Sequence, residues 1–298
     1  TDVLKGRLGF DGAIITDGMG MGGITKNYSD DYAIVKAVQA GCHIIIQNYD
    51  MVGSIDAIEN AVLDGEISEQ QIDSSALKML ELKYKVGLNL NPYIRLDHMM
   101  KNISTKANRE TSNRIASESI TLVKDSKGLL PINSSSKDTL YIIDIYDQEY
   151  KHSRSTVASK IISEKIPIRA IQVDESDKKP ILDIIVKSIP KNSQILINAF
   201  VSPKEWKDRI FFPDNETYFV RELIKKSDRI ILASLGTPYL LQDFPKVSTY
   251  LCAYNGSYLM QNALASALLG SKDISGRLPI SIPGLYEIGS GMFKEMKV

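Results

Sequence analysis

The sequence predicts an α/β protein with two domains, and three observations lead to this prediction. Short apolar runs rich in β-branched residues alternate with segments of helical periodicity. The length of 298 residues is enough to bury two hydrophobic cores. Residues 91–106 contain Pro92 and show no sustained period, which is typical of a linker. We therefore expect domains at residues 1–90 and 107–298.

Composition excludes several classes of protein. Hydrophobic residues make up 43% and charged residues 24% of the chain, as in ordinary globular proteins. Lys plus Arg and Asp plus Glu number 36 each, so no global charge points to nucleic acid or an acidic membrane. No apolar stretch is long enough to span a membrane. Cys42 and Cys252 lie in apolar runs, which favours buried thiols over a disulfide.

The first predicted element is a buried strand at residues 10–16, and Asp17 follows it directly. A carboxylate at a strand end is solvated yet rigidly held, and catalytic groups of α/β barrels lie at this end of the strands. The alternative is that Asp17 caps a helix or forms a turn, since Asp favours both positions.

The remaining elements of the first domain form a βαβ unit and two further helices. A strand is predicted at 42–47, and helices at 29–40, 55–63 and 68–86. Ser68 begins a capping box, and Asp50 is a candidate cap of the preceding helix. A βαβ unit requires a parallel sheet.

In the second domain a helix at 107–119 runs into a strand at 120–124, and further strands and helices then alternate. Strands are predicted at 141–145, 170–173, 194–199 and 229–235, and helices at 156–165, 181–188 and 218–226. The alternation favours an αβα sandwich with a largely parallel sheet.

Five blocks of sequence, in order along the chain, carry a resemblance to a known family. They are Gly9-Phe-Asp-Gly12 with Thr16-Asp17, Lys83–Leu88, Glu118–Lys124 with Gly128–Pro131, Ser234–Leu241, and Gly276–Pro283. These blocks resemble glycoside hydrolase family 3, from inside its barrel to its C-terminus. The resemblance implies that residues 1–90 are the last two strand–helix units of a (β/α)8 barrel, followed by the αβα C-terminal domain.

The resemblance also implies a retaining glycosidase that needs no cofactor or metal, with Asp17 as the nucleophile. Such enzymes need a second group, a general acid/base. In the family's β-N-acetylglucosaminidase branch this is a His–Asp pair in the upstream barrel. In its β-glucosidase branch it is a glutamate of the C-terminal domain.

Candidates for the acid/base on this chain are few. His43, His98 and His152 do not lie in the family's histidine motif, so the His–Asp pair would lie upstream. Glu205 and Glu216 are the candidates for the glutamate. The alternative for Glu205 is a solvated loop beside a packed Trp206.

Met19 and Met21 follow Asp17 and resemble the nucleophile loop of the N-acetylglucosaminidase branch. We therefore expect β-linked N-acetylglucosaminides as substrates, with both methionines in contact with the substrate. The alternative for the two methionines is packing in the hydrophobic core. The alternatives for the function of the chain are a β-glucosidase and a non-catalytic interaction module.

Two strand–helix units cannot close a barrel, which needs eight. Their apolar faces and sheet edges would require the upstream barrel half, supplied by another chain or missing from a partial product. The chain begins with Thr1, which suggests a processed or truncated form. We expect the isolated chain to be inactive or nearly so. The compartment stays open, with a periplasmic or extracellular location favoured over a cytoplasmic one.

Overall fold

The computed structural model is described over residues 2–46, 50–132, 138–146, 155–201 and 212–295. The chain has an α/β fold with a mixed sheet and divides into two compact units, Thr1–Asn102 and Ile103–Val298. The division falls within the stretch expected to be a linker. No helix among the described residues is long and apolar enough to cross a membrane.

Unit 1 contains a parallel pair of short strands, β1 (Ile15–Gly18) and β2 (Ile44–Ile46). Its α-helices are α1 (Gly22–Thr25), α2 (Asp30–Gln39), α3 (Met51–Leu63), α4 (Glu69–Lys85) and α5 (Leu96–Asn102), and a π-helical segment (Asp2–Arg7) precedes them. Ser29 and Ser68 cap α2 and α4 by accepting from the amides of Tyr32 and Gln71. These side chains satisfy amides that the first helical turn leaves unpaired.

The core of unit 1 is small. Ile34 and Ile67 are fully buried, and α2 packs against α3. Many large apolar side chains of the unit nevertheless stay exposed, among them Leu8, Ile15, Val52, Leu63, Leu80 and Tyr84. Where such exposed apolar side chains adjoin one another, they mark an interaction site or an aggregation liability.

Two expectations for unit 1 need correction. β1 begins at Ile15 rather than at Phe10, because the preceding residues form a turn in which Phe10 covers Gly12. A Cβ on Gly12 would lie 2.6 Å from Phe10 Cζ, so a larger residue at this position would require the Phe10 ring to move. The expected linker contains α5, which at seven residues is too short to show a periodic pattern.

Unit 2 is built on a six-stranded sheet in the order β3-β8-β7-β6-β4-β5, in which only β3 runs antiparallel to its neighbour. The strands are β3 (Thr121–Asp125), β4 (Leu140–Tyr146), β5 (Ile168–Asp174), β6 (Ile195–Phe200), β7 (Ile230–Ser234) and β8 (Thr249–Cys252). The helices are α6 (Lys106–Ser119), α7 (Thr156–Ser163), α8 (Lys179–Ser188), α9 (Asp214–Lys226) and α10 (Tyr258–Leu268), with a 3₁₀ turn at Pro238–Gln242.

Both faces of this sheet are buried. Ile142 and Leu196 join a cluster with α6, α7 and α10, whereas Ile143 and Ile197 join a cluster with α8 and α9. Alternate residues of a strand point to opposite faces, so the two clusters lie on the two sides of the sheet. The sequence did not predict α10, because most of its residues are buried and it shows no polar stripe.

Candidate active site

Asp17 lies near the carboxyl end of β1, and its side chain is exposed to solvent. Its Oδ1 accepts a hydrogen bond from the Gly18 amide over 2.7 Å. Asp17 caps no helix, since α1 begins later and has Met21 at its N-cap position. The carboxylate is therefore fixed to its own turn through one oxygen, and within the described part of the chain Oδ2 accepts no hydrogen bond.

A β-bulge lies at this position. Ile15 pairs with Ile44 and Gly18 pairs with Ile46, so Thr16 and Asp17 together oppose a single residue of β2. Bulges are rare in parallel pairs and occur next to active sites, where they redirect a side chain. The bulge turns the Asp17 segment out of the regular pleat.

Two side chains contact the backbone on either side of the bulge. Thr16 Oγ1 accepts from the Ile46 amide over 3.0 Å. His43 Nδ1 accepts from the Ile14 amide over 2.9 Å, and the His43 amide donates to Ile14 O over 2.8 Å. Thr16 and His43 thus connect β1 to β2, a role that the sequence alone did not assign. The signals available were a hydroxyl residue directly before Asp17 and a polar residue at the start of an apolar strand.

The His43 imidazole is held neutral. Its Nδ1 accepts a hydrogen bond and therefore carries no proton. An imidazolium would carry a proton on both ring nitrogens. Partial burial and the Lys5 ammonium, whose Nζ lies 3.3 Å from Nε2, lower the pKa of His43, and Lys78 adds to the effect. The geometry gives His43 a structural role rather than that of a general acid.

Acidification is expected to loosen the contact between β1 and β2. The unfolded chain binds a proton on His43 below about pH 6.5, whereas the folded chain resists it, so the free energy of unfolding falls as the pH drops through this value. Hydrogen exchange of the Ile14 amide should speed up severalfold, relative to its intrinsic rate, between pH 7 and pH 5. His43→Asn, which keeps an acceptor near the Nδ1 position, should flatten this dependence, whereas His98→Asn should not. A pH dependence that persists in His43→Asn would contradict the assignment.

The other candidates of unit 1 have structural contacts. Met19 is buried against Ala33 and Ile34, as core packing requires, and Met21 is 47% exposed beside the Asp17 turn. Asp50 caps α3, since its Oδ1 accepts from the Gly53 amide over 2.9 Å. Contact of either methionine with a substrate stays a prediction.

In unit 2, Glu216 lies in the first turn of α9 and is 1% exposed. Neither of its carboxyl oxygens has a hydrogen-bond partner among the residues described. Burial raises its pKa, as do the nearby carboxylates of Glu175, Asp177 and Asp174. A raised pKa suits a general acid, but the buried carboxyl is not presented to a substrate in this structure.

The remaining candidates give no further site. Glu205, Trp206 and His152 lie outside the described residues, and His98 is exposed in α5. Asp144 of β4 is buried beside Asn198. Burial raises its pKa to about 6, although the hydrogen bonds from Asn198 and Ser155 act to lower it. Over the described ranges, no group of three His, Cys, Asp or Glu residues could hold a metal ion.

Comparison with known proteins shows which family and which relatives the chain resembles. Residues 1–82 match the family model described as the glycosyl hydrolase family 3 N-terminal domain. A β-N-acetylglucosaminidase/β-glucosidase of Cellulomonas fimi is 20% identical over 94% of this chain and 51% of its own length. A lysosomal β-glucosidase of Dictyostelium discoideum is 23% identical over 95% of this chain and 39% of its own.

A solved structure shows the same fold. The glycoside hydrolase family 3 β-N-acetylglucosaminidase from Paenibacillus sp. superposes with a TM-score of 0.75 at 22% identity, over 92% of this chain and 52% of that one. The chain thus spans about half the length of the proteins it matches. It is a homologue of glycosyl hydrolases. Its residues 1–82 match the family 3 N-terminal domain, and this match confirms the resemblance to family 3 identified from the sequence blocks.

Proposed function

We propose that this chain supplies the nucleophile, Asp17, of a retaining glycosidase that acts on β-linked N-acetylglucosaminides. The observation that carries the proposal is the exposed Asp17 carboxylate on a bulge at the end of a parallel strand. It lies within the segment that matches the family 3 N-terminal domain. Catalytic groups of α/β barrels lie at this end of the strands.

In the proposed reaction, an oxygen of Asp17 attacks the anomeric carbon as the bond to the leaving group breaks. A general acid protonates the departing oxygen, and water then hydrolyses the glycosyl ester and releases the Asp17 carboxylate. The acid/base is proposed to lie on residues upstream of this chain, as in the family's histidine-bearing branch. The sugar bound is N-acetylglucosamine, with glucose as the alternative, since the relatives' names include both.

The proposal includes completion of a barrel. β1 and β2 each pair with one strand in the described part of unit 1, and the apolar residues around them stay exposed. Upstream strand–helix units, on the same polypeptide or a separate one, would cover these residues and pair with the strand edges. The chain alone is therefore expected to turn over natural substrates poorly.

The test is intact-mass spectrometry after exposure to 5-fluoro glycosyl fluorides of N-acetylglucosamine and of glucose. Fluoride leaves without protonation, so the missing acid is bypassed and the nucleophile is tested alone. We expect one added sugar on the peptide that contains Asp17, with the N-acetylglucosamine reagent reacting faster.

A second sample is a longer polypeptide that restores the upstream barrel. An adduct there but not on the chain alone would mean that Asp17 is the nucleophile and that the sugar site needs upstream residues. A faster reaction with the glucose reagent would assign the chain to β-glucosides. The absence of an adduct in both samples would leave a non-catalytic module as the better description.

A further inference from the structure

We propose that Thr16 is a positioning residue for the Asp17 carboxylate, because its hydroxyl holds the bulge that presents Asp17. The inference deepens the proposed function and rests on it for the role of Asp17 as nucleophile. Thr16 itself touches no reacting atom in this scheme. It acts through the hydrogen bonds between β1 and β2.

The hydrogen bonds between β1 and β2 show where the Thr16 hydroxyl acts. The Ile44 amide donates to Ile14 O over 3.2 Å. In a regular parallel ladder, acceptors on one strand lie two residues apart, so the Ile46 amide would next bond to the carbonyl of Thr16. The bulge moves that carbonyl out of register, so that the Asp17 carbonyl faces the Ile46 amide, and Thr16 Oγ1 accepts from the same amide over 3.0 Å. The side chain thus adds a bond from Thr16 to β2 at the point where the Thr16 carbonyl has left the ladder.

The next contact shows how the bulge holds the carboxylate. Regular pairing would make the Gly18 amide the donor to Ile46 O, but the donor is the Met19 amide, over 2.9 Å. The Gly18 amide is therefore available to donate to Asp17 Oδ1. The shifted register supplies the donor that orients the nucleophile, and the Thr16 hydroxyl secures the strand directly before it.

The chemistry of the position restricts the residue to threonine or serine. Valine has the shape of threonine but offers no acceptor, so the Ile46 amide would lose that bond. Misplacement of a reacting group by about 1 Å can cost roughly 100-fold in rate, which makes a loosened bulge visible in kinetics.

The test compares Thr16→Val with Thr16→Ser in the full chain, and Thr25→Val of α1 is the control. Hydrogen exchange by NMR reports the bonds directly. We expect Thr16→Val to speed exchange at the Ile46 and Gly18 amides about tenfold or more, while α3 amides stay protected. Thr16→Ser and Thr25→Val should match the parent chain. If Thr16→Val does not fold, Thr16→Ala serves as the second variant without a hydroxyl.

The second readout is the rate of Asp17 labelling by the activated glycosyl fluoride, in whichever sample takes up label. The maximal labelling rate should fall about 10- to 100-fold in Thr16→Val with little change in reagent affinity, and Thr16→Ser should restore it.

Unchanged exchange at Ile46 and Gly18 in Thr16→Val would overturn the proposal, as would faster exchange with an unchanged labelling rate. Equal losses in Thr16→Ser and Thr16→Val would also overturn it, because the hydroxyl would then not be the cause. If no sample takes up label at Asp17, the proposed function fails, and the exchange data still decide whether Thr16 holds the bulge.

Discussion

Asp17→Asn is expected to abolish turnover in any form of the protein that hydrolyses β-glycosides, with a loss of at least about 10³-fold in kcat. The amide has nearly the shape of the carboxylate and can still accept from the Gly18 amide, so the turn should persist. It is a far weaker nucleophile and carries no charge to stabilise the cationic transition state. The measurement is kcat with a dinitrophenyl glycoside, together with the melting temperature.

The control is Asp56→Asn, which makes the same charge change at an exposed position of α3 and should leave kcat unchanged. A sharper test uses Asp17→Gly with azide. Azide would attack the anomeric carbon from the face that Asp17 serves, and the product would be the glycosyl azide of inverted, α configuration. Recovery of a β-configured product, or full activity of Asp17→Asn, would remove Asp17 from the mechanism.

Asp125→Ala is expected to destabilise unit 2 by about 3–5 kcal/mol, because it breaks a buried, charged network. The Asp125 side chain is 2% exposed, and its Oδ2 lies 2.8 Å from Lys294 Nζ. Its Oδ1 accepts from Thr249 Oγ1 and from the Leu129 amide. The aspartate therefore joins β3, β8 and the C-terminal segment. The measurement is chemical denaturation of the full chain.

An exposed pair provides the matched control. Lys127 and Asp228 also lie 2.8 Å apart, but both side chains are more than half exposed. Lys127→Ala should leave the unfolding transition unchanged, since solvent screens such a pair. A comparable loss in both variants would contradict the assignment of the effect to burial.

The Asp125 contribution should also depend on pH. Burial opposes the charge of Asp125, but the hydrogen bonds from Lys294, Thr249 and Leu129 outweigh it and lower the pKa of the carboxyl below its usual 3.8. The stabilisation is thus complete above this value and is lost as the pH falls through the lowered pKa. The difference between the parent chain and Asp125→Asn should shrink below about pH 4.

Structural features that depend on residues close together in the sequence could be predicted from it. Ser68 and Asp50 were identified as helix caps from their positions before helical runs, and each accepts a hydrogen bond from an amide in the first turn of its helix. The parallel pairing of β1 with β2 followed from the strand–helix–strand order. These features depend on a few neighbouring residues, which a sequence displays directly.

Features that depend on a distant partner were not predictable. Thr16 and Ile46 are 30 residues apart, and the hydroxyl gains its role only from the register of β2. Lys294 and Asp125 are 169 residues apart, and both look like ordinary surface charges in the sequence. A single sequence shows a residue's type but not which residue its side chain meets.

The pairing of β3 with β8 has a consequence for the order in which unit 2 forms during synthesis. β3 is the first strand of the unit to be made and β8 the last, and the bond that continues their pairing joins Ser126 to Ser248, 122 residues later. Because β8 is synthesised last, β3 has no strand to pair with while β4 to β7 have already been made. An unpaired strand in that interval is exposed to the wrong partners. A chain released before Thr249 would leave β3 without its only neighbour among the described strands, so late truncations should yield insoluble protein.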